Sequence, residues 1–150
     1  MRALIQRVDQ ASVAINSTEH ARINHGFLVL LGIESGDDFI DVSWLAKKVA
    51  NLRVFADDNG NMNNTLQDCS GEILLISQFT LHASTKKGNR PSFIKAAKPE
   101  VAKPLYDAFI SELNRHISSK VKTGLFGADM KISLVNNGPV TIMIDSKNKE

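Results

Sequence analysis

A single cysteine, Cys69, in 150 residues leaves no disulfide to be closed within the chain and fits a reducing compartment. The four histidines, His20, His25, His82 and His116, are dispersed, so a structural zinc site is not expected. Charge of one sign is scarce as well. Eighteen Lys and Arg against sixteen Asp and Glu leave +2, and any basic surface must come from clustering. The longest apolar run, Phe27 to Gly32, is far too short for a membrane span. MRALIQRVDQ begins a strand pattern directly, with no signal-peptide features. No repeat, linker or low-complexity tract interrupts the chain. The expectation is one soluble domain over 1–150, cytoplasmic, without metal or cofactor, and long enough to bury a core.

What is present is periodic. Arg2–Val8 and Ala11–Asn16 alternate with period two and predict neighbouring strands. Phe27 to Ile33 is continuously apolar, as in a strand buried on both faces. Asp37 and Asp38 then supply helix-start signals for a segment ending near Leu52, with Ile40, Trp44, Leu45, Val49 and Leu52 on one face. Asp57–Asn64 is dense in turn formers. Glu72–Phe79 is the strongest buried-strand segment, followed by a polar, basic loop from His82 to Ser92. Pro99 suits the first turn of a second helix, on which Val101, Leu105, Phe109, Leu113 and Ile117 recur in steps of four. Three further strands are expected, near Val121, over Met130–Val135 and over Val140–Ile144, with a frayed tail at about 146–150. Two helices and roughly seven strands argue an α+β fold of mainly antiparallel sheets.

Three stretches carry more polarity or irregularity than packing requires. Ser77-Gln78-Phe79-Thr80 ends the most apolar strand, and alternation sets Ser77 and Phe79 on one face with Gln78 and Thr80 on the other. These hydroxyls and the amide either meet a ligand or cap the strand. Gly138-Pro139 breaks an otherwise good pair of strands. It is either an ordinary turn or a backbone whose carbonyl oxygens accept from a primary amine. The loop bearing Lys86, Lys87 and Arg90 is either solvated or set against phosphates. A nucleophilic triad finds little support, because His82 has no acidic orienter and no nucleophile elbow surrounds Ser77 or Thr80. Cys69 has no activating neighbour.

Taken in series, MRALIQRVDQASV, LLGI, NLRVF, SQFTL, KGNRPSF, TGLFGADM and NNGPVT closely resemble the D-aminoacyl-tRNA deacylases over essentially the whole chain. The resemblance implies a homodimer of compact α+β subunits with barrel-like sheets. It implies that Ser77, Gln78, Phe79 and Thr80 form the catalytic strand end and that Gly138 and Pro139, joined by a cis bond, reach across into the partner's pocket. Phe126 and Met130 match residues that line the family pocket, with packing as the competing explanation. The implied substrates are D-aminoacyl-tRNA and glycyl-tRNA, the latter because glycine has no side chain to exclude. The 2′-hydroxyl of the terminal adenosine is implied to assist hydrolysis. Two positions depart from the family pattern. Asn89 replaces a frequent basic residue, removing one phosphate contact, and Asn137 stands where Asp is common, with little change expected.

Overall fold

The computed structural model describes residues 1–149. Among them are eight strands and two α-helices. Strand β1 (Arg2–Ile15) is the template for half of the sheet. Its first half pairs antiparallel with β3 (Gly26–Gly32), its second half with β2 (Thr18–Ile23), and its other edge with β8 (Lys131–Asp145). On the far side of β3 lie β6 (Glu72–Ser77) and the short β7 (Lys122–Thr123), both parallel. Four of the six pairings are antiparallel, and the parallel ones follow from connectivity. Helix α1 (Phe39–Ala50) lies between β3 and β6, and α2 (Pro99–His116) between β6 and β7, each a crossover that returns the chain in the same direction. The remaining strands, β4 (Phe55–Ala56) and β5 (Met62–Asn64), make a small hairpin.

The sheet curls into a nearly closed barrel with both helices on its outer face. The double burial expected of β3 and β6 holds, with alternate residues serving two cores. Phe27, Val29, Leu31, Ile73 and Leu75 pack beneath the helices with Leu45, Val49, Leu105, Phe109 and Leu113. Leu28, Leu74 and Ile76 face the opposite core with Val8, Val13 and Ile23. The α2 stripe is buried except at its first member, Val101. The α1 stripe fails at Ile40, which is 76% exposed in the first turn. Asp38 is the N-cap of α1, accepting from the N–H of Ile40 and Asp41, and Asp41 returns a bond to the Asp38 N–H.

Four expectations are corrected. Arg2–Val8 and Ala11–Asn16, expected as two neighbouring strands, run together as the single strand β1, which ends at Ile15. The two strands expected at the C-terminus run as one, because continuous β1 pairs with both arms. The strand expected to reach Phe79 ends at Ser77. The Gln78 N–H makes the last bond to β3, at the Leu31 carbonyl, and Phe79–His82 then turns as a 3-10 helix. The tail is also anchored at its start: Ser146 is 4% exposed, its N–H donates to the Met1 carbonyl, and Lys147 reaches Asp41 at 2.6 Å. Glu150, the last residue of that tail, lies outside the described residues. No described helix is long and apolar enough to cross a membrane.

Candidate active site

Where β3 and β6 end, a cavity of about 580 Å³ opens. Ser77, Gln78 and Phe79 form one wall, Phe126 and Met130 another, and Phe93 and the start of α2 a third. Five of the residues singled out in the sequence thus converge. Their supports are local. The Leu75 carbonyl, two residues before Ser77, accepts from the buried Tyr106 hydroxyl at 2.9 Å and from the Gly124 N–H at 3.2 Å. Burial pushes the Tyr106 phenol well above its ordinary range, keeping it a neutral donor. The Tyr106 ring lies 5.6 Å from that of Phe126. Gly124 leaves room for Met130, whose sulfur would stand 2.4 Å from a Cβ at that position.

Because β6 stops at Ser77, the alternation expected for Ser77 to Thr80 does not apply. The turn that follows leaves Phe79 56% exposed at the cavity, edge-on to Phe93 with ring centres 5.1 Å apart. Gln78 donates through Nε2 to the Thr80 hydroxyl. His82 ends the turn 2% exposed, and neither ring nitrogen bonds a described polar group, so it activates neither Ser77 nor Thr80. Among the described residues, none in the cavity wall is a carboxylate. Cys69 is half-buried, burial pushes its thiol up, and it bonds the Thr65 and Leu66 carbonyls, all of which suits packing.

Gly138 and Pro139 stand elsewhere. On β8, four residues, Asn137 to Val140, oppose the single residue Arg7 of β1, so the turn is extruded from the ladder. The Gly138–Pro139 bond is cis and both residues are exposed, outside the wall of this chain's own cavity. Asn136 closes the turn's base, accepting from the Val140 N–H at 3.0 Å. Gly138 has φ +130°, which L side chains rarely adopt, and a Cβ there would fall 2.9 Å from the Arg7 guanidinium.

Arg7 is the residue that sequence reasoning missed. Its Nε donates to the Asn137 carbonyl at 3.1 Å, one terminal nitrogen to the Asn137 side chain at 3.3 Å, and the other to the Val54 carbonyl. Asn137 also donates to Asp9 at 2.5 Å, so it is a fastening point of the turn rather than a bystander. A signal existed. Ala3 and Ile5 are buried, and strand alternation puts Arg7 on their face, where an apolar residue is expected. Lys86, Lys87 and Arg90 lie exposed on their loop, none of them in the cavity wall.

This fold is shared with two solved structures. One, described as c-Myc DNA Unwinding Element Binding Protein, superposes with a TM-score of 0.92 at 38% identity, covering 97% of this chain and 98% of that one. A second, described as a probable eukaryotic D-amino acid tRNA deacylase, superposes at 0.80 with 19% identity, covering 95% and 97%, and bears on the fold alone. Curated D-aminoacyl-tRNA deacylases of Flavobacterium psychrophilum and Cytophaga hutchinsonii are 59% and 58% identical over the full length of both chains. The family model described as D-Tyr-tRNA(Tyr) deacylase matches residues 4–145. The chain belongs to this family, and its class is that of the hydrolases that deacylate D-aminoacyl-tRNA.

Proposed function

We propose that the protein removes D-amino acids from tRNA with a chiral filter built from main chain. The extruded Gly138-Pro139 turn of one subunit enters the cavity of a second in a homodimer, and its carbonyl oxygens accept from the α-amino group of the esterified amino acid. The observation that supports this is the placement of the turn outside its own cavity wall: an exposed acceptor and an apolar pocket lie apart on one chain, as a site completed by a second copy requires. The wall around the fixed amine then occupies the place of an L side chain and leaves a D side chain room to project. Glycine passes this filter, which makes glycyl-tRNA a second substrate.

Ester hydrolysis needs an attacking water and a stabilised oxyanion. Among the described residues the cavity offers no carboxylate base, and neither ring nitrogen of His82 bonds a hydroxyl, which favours assistance by the substrate's own 2′-hydroxyl. The first N–H groups of a helical turn have no partner within it, and those of Phe79 and Thr80 are suited to the oxyanion. Lys86, Lys87 and Arg90 would contact RNA phosphates outside the cavity. Rejecting L-aminoacyl-tRNA a thousandfold takes about 4 kcal/mol of differential transition-state binding. One misplaced methylene supplies roughly 1–3 kcal/mol, so steric exclusion and the amine's lost hydrogen bonds must act together.

The test compares hydrolysis of D-tyrosyl- and L-tyrosyl-tRNA. A large excess for the D ester is expected, and equal rates reject the filter. A 2′-deoxy terminal adenosine should abolish turnover, and undiminished cleavage removes the substrate-assisted step. A second reading, a nucleic-acid-binding module without hydrolysis, draws on the description of the 38%-identical solved structure. It predicts RNA or DNA binding with neither ester cleaved.

A further inference from the structure

Among the seventeen described residues of the cavity wall, one is charged: Lys98. The others are apolar or small except for Ser77 and Gln78, so the exposed Lys98 brings a positive charge to the edge of an otherwise neutral wall. The backbone of Lys98 is held on both sides. The preceding Ala97 donates its N–H to the Ile33 carbonyl at 2.9 Å, and the Lys98 carbonyl accepts from the N–H of Val101 and Ala102 at 3.0 and 2.9 Å. Its side chain is not held. It makes no capping bond and enters no ion pair or hydrogen bond with a described residue. A fixed backbone with an uncommitted ammonium at the rim of an apolar cavity is arranged for an anion that arrives with the occupant.

The ester substrate, accepted from the reading above, carries such an anion at a defined place. Its reacting end is an amino acid on a terminal nucleoside, and that nucleoside is joined to the rest of the RNA by one 5′-phosphodiester. With the nucleoside inside a pocket walled by Phe79, Phe93 and Phe126, this phosphate is the first negative charge that must remain at the rim. We propose that Lys98 binds the 5′-phosphate of the terminal nucleotide and so sets how the nucleoside enters the cavity. The positive end of α2, which begins at the next residue, adds a field of the same sign. Lys86, Lys87 and Arg90, outside the wall, are left to phosphates further along the RNA.

The assay uses two small esters, 3′-O-D-tyrosyl adenosine and its 5′-monophosphate, beside D-tyrosyl-tRNA. At low salt the native protein should favour the 5′-phosphorylated ester by roughly two- to fivefold in kcat/KM, the scale of an exposed ion pair. Lys98→Ala should bring kcat/KM for the two small esters together and raise KM for D-tyrosyl-tRNA more than it lowers kcat. Its salt dependence in log kcat/KM should become shallower by about one unit of slope, and Lys98→Arg should restore the preference. Because Lys98 caps α2 through its backbone alone, the alanine variant keeps the helix start. A phosphate preference that survives Lys98→Ala, or is absent from an active native protein, overturns the inference and leaves the deacylase reading intact. A variant altered instead in its choice between D-aspartyl and D-tyrosyl esters would show that Lys98 reads the amino acid, which also overturns it. A native protein inert on all three esters removes the underlying functional reading and this inference with it.

Discussion

Arg7 shows how one side chain can hold a functional backbone. Its planar fork binds two carbonyls and an amide that belong to separate segments, and no other common side chain presents donors in that geometry. Arg7→Ala should free the Gly138-Pro139 turn and strand the Val54 carbonyl. A shift of about 1 Å in a positioning group can cost roughly a hundredfold, so kcat/KM for D-tyrosyl-tRNA should fall on the order of 10- to 100-fold. The D-to-L ratio should fall with it, and Arg7→Lys should recover only part. An unchanged ratio would mean that the clamp does not serve the filter. Thr80 supports a sharper contrast. A covalent nucleophile predicts near-total loss in Thr80→Ala, whereas substrate assistance predicts a tolerated change, and single-turnover rates separate the two. The hydroxyl residues and the Gly-Pro pair were legible in the sequence because each interrupts an otherwise regular pattern. Arg7 was not picked out, because its partners lie 47 and 130 positions away.

At the scale of elements, the start of α1 and the C-terminal segment are tied by one carboxylate. Burial raises the Asp41 pKa, but hydrogen bonds from Lys147, Ser146 and the Asp38 N–H outweigh it and bring the value to about 2, from 3.8. A folded pKa below the unfolded one gives stability that is present above pH about 4 and is lost as pH falls towards 2. The shift corresponds to about 2 kcal/mol. Urea midpoints for the native protein and Asp41→Asn should therefore differ at pH 7 and converge near pH 2. A constant gap across that range would assign the effect to packing. The helix itself was readable from Asp37 and Asp38 and from its spacing. The tail was expected to fray because its sequence, SKNKE, is polar, and no local pattern announces Lys147 crossing to Asp41.

For the whole molecule, the decisive question is whether two incomplete halves make one site. A homodimer should sediment at twice the 16.5 kDa chain mass. Gly138→Ala should inactivate through strain in the turn and collision with Arg7, and Gln78→Ala should impair the cavity side. Mixed after unfolding and refolding together, the two variants should regain activity. One site of each mixed dimer then combines an intact turn with an intact cavity. No recovery, with mixed dimers shown to form, would place turn and cavity within a single subunit.

Local chemistry in the chain settled much of this protein. Alternation and four-residue periodicity set its strands and helices, and punctuation by Gly, Pro and polar residues marked where regular structure stops, because these preferences act over a few neighbouring residues. Folding settled the rest. The parallel course of β3, β6 and β7, the single long β8, the clamp on the turn and the gathering of Ser77, Phe126 and Met130 around one cavity all depend on contacts between distant segments. Such contacts form only when burial of the two cores brings those segments together, and no short window of sequence encodes them.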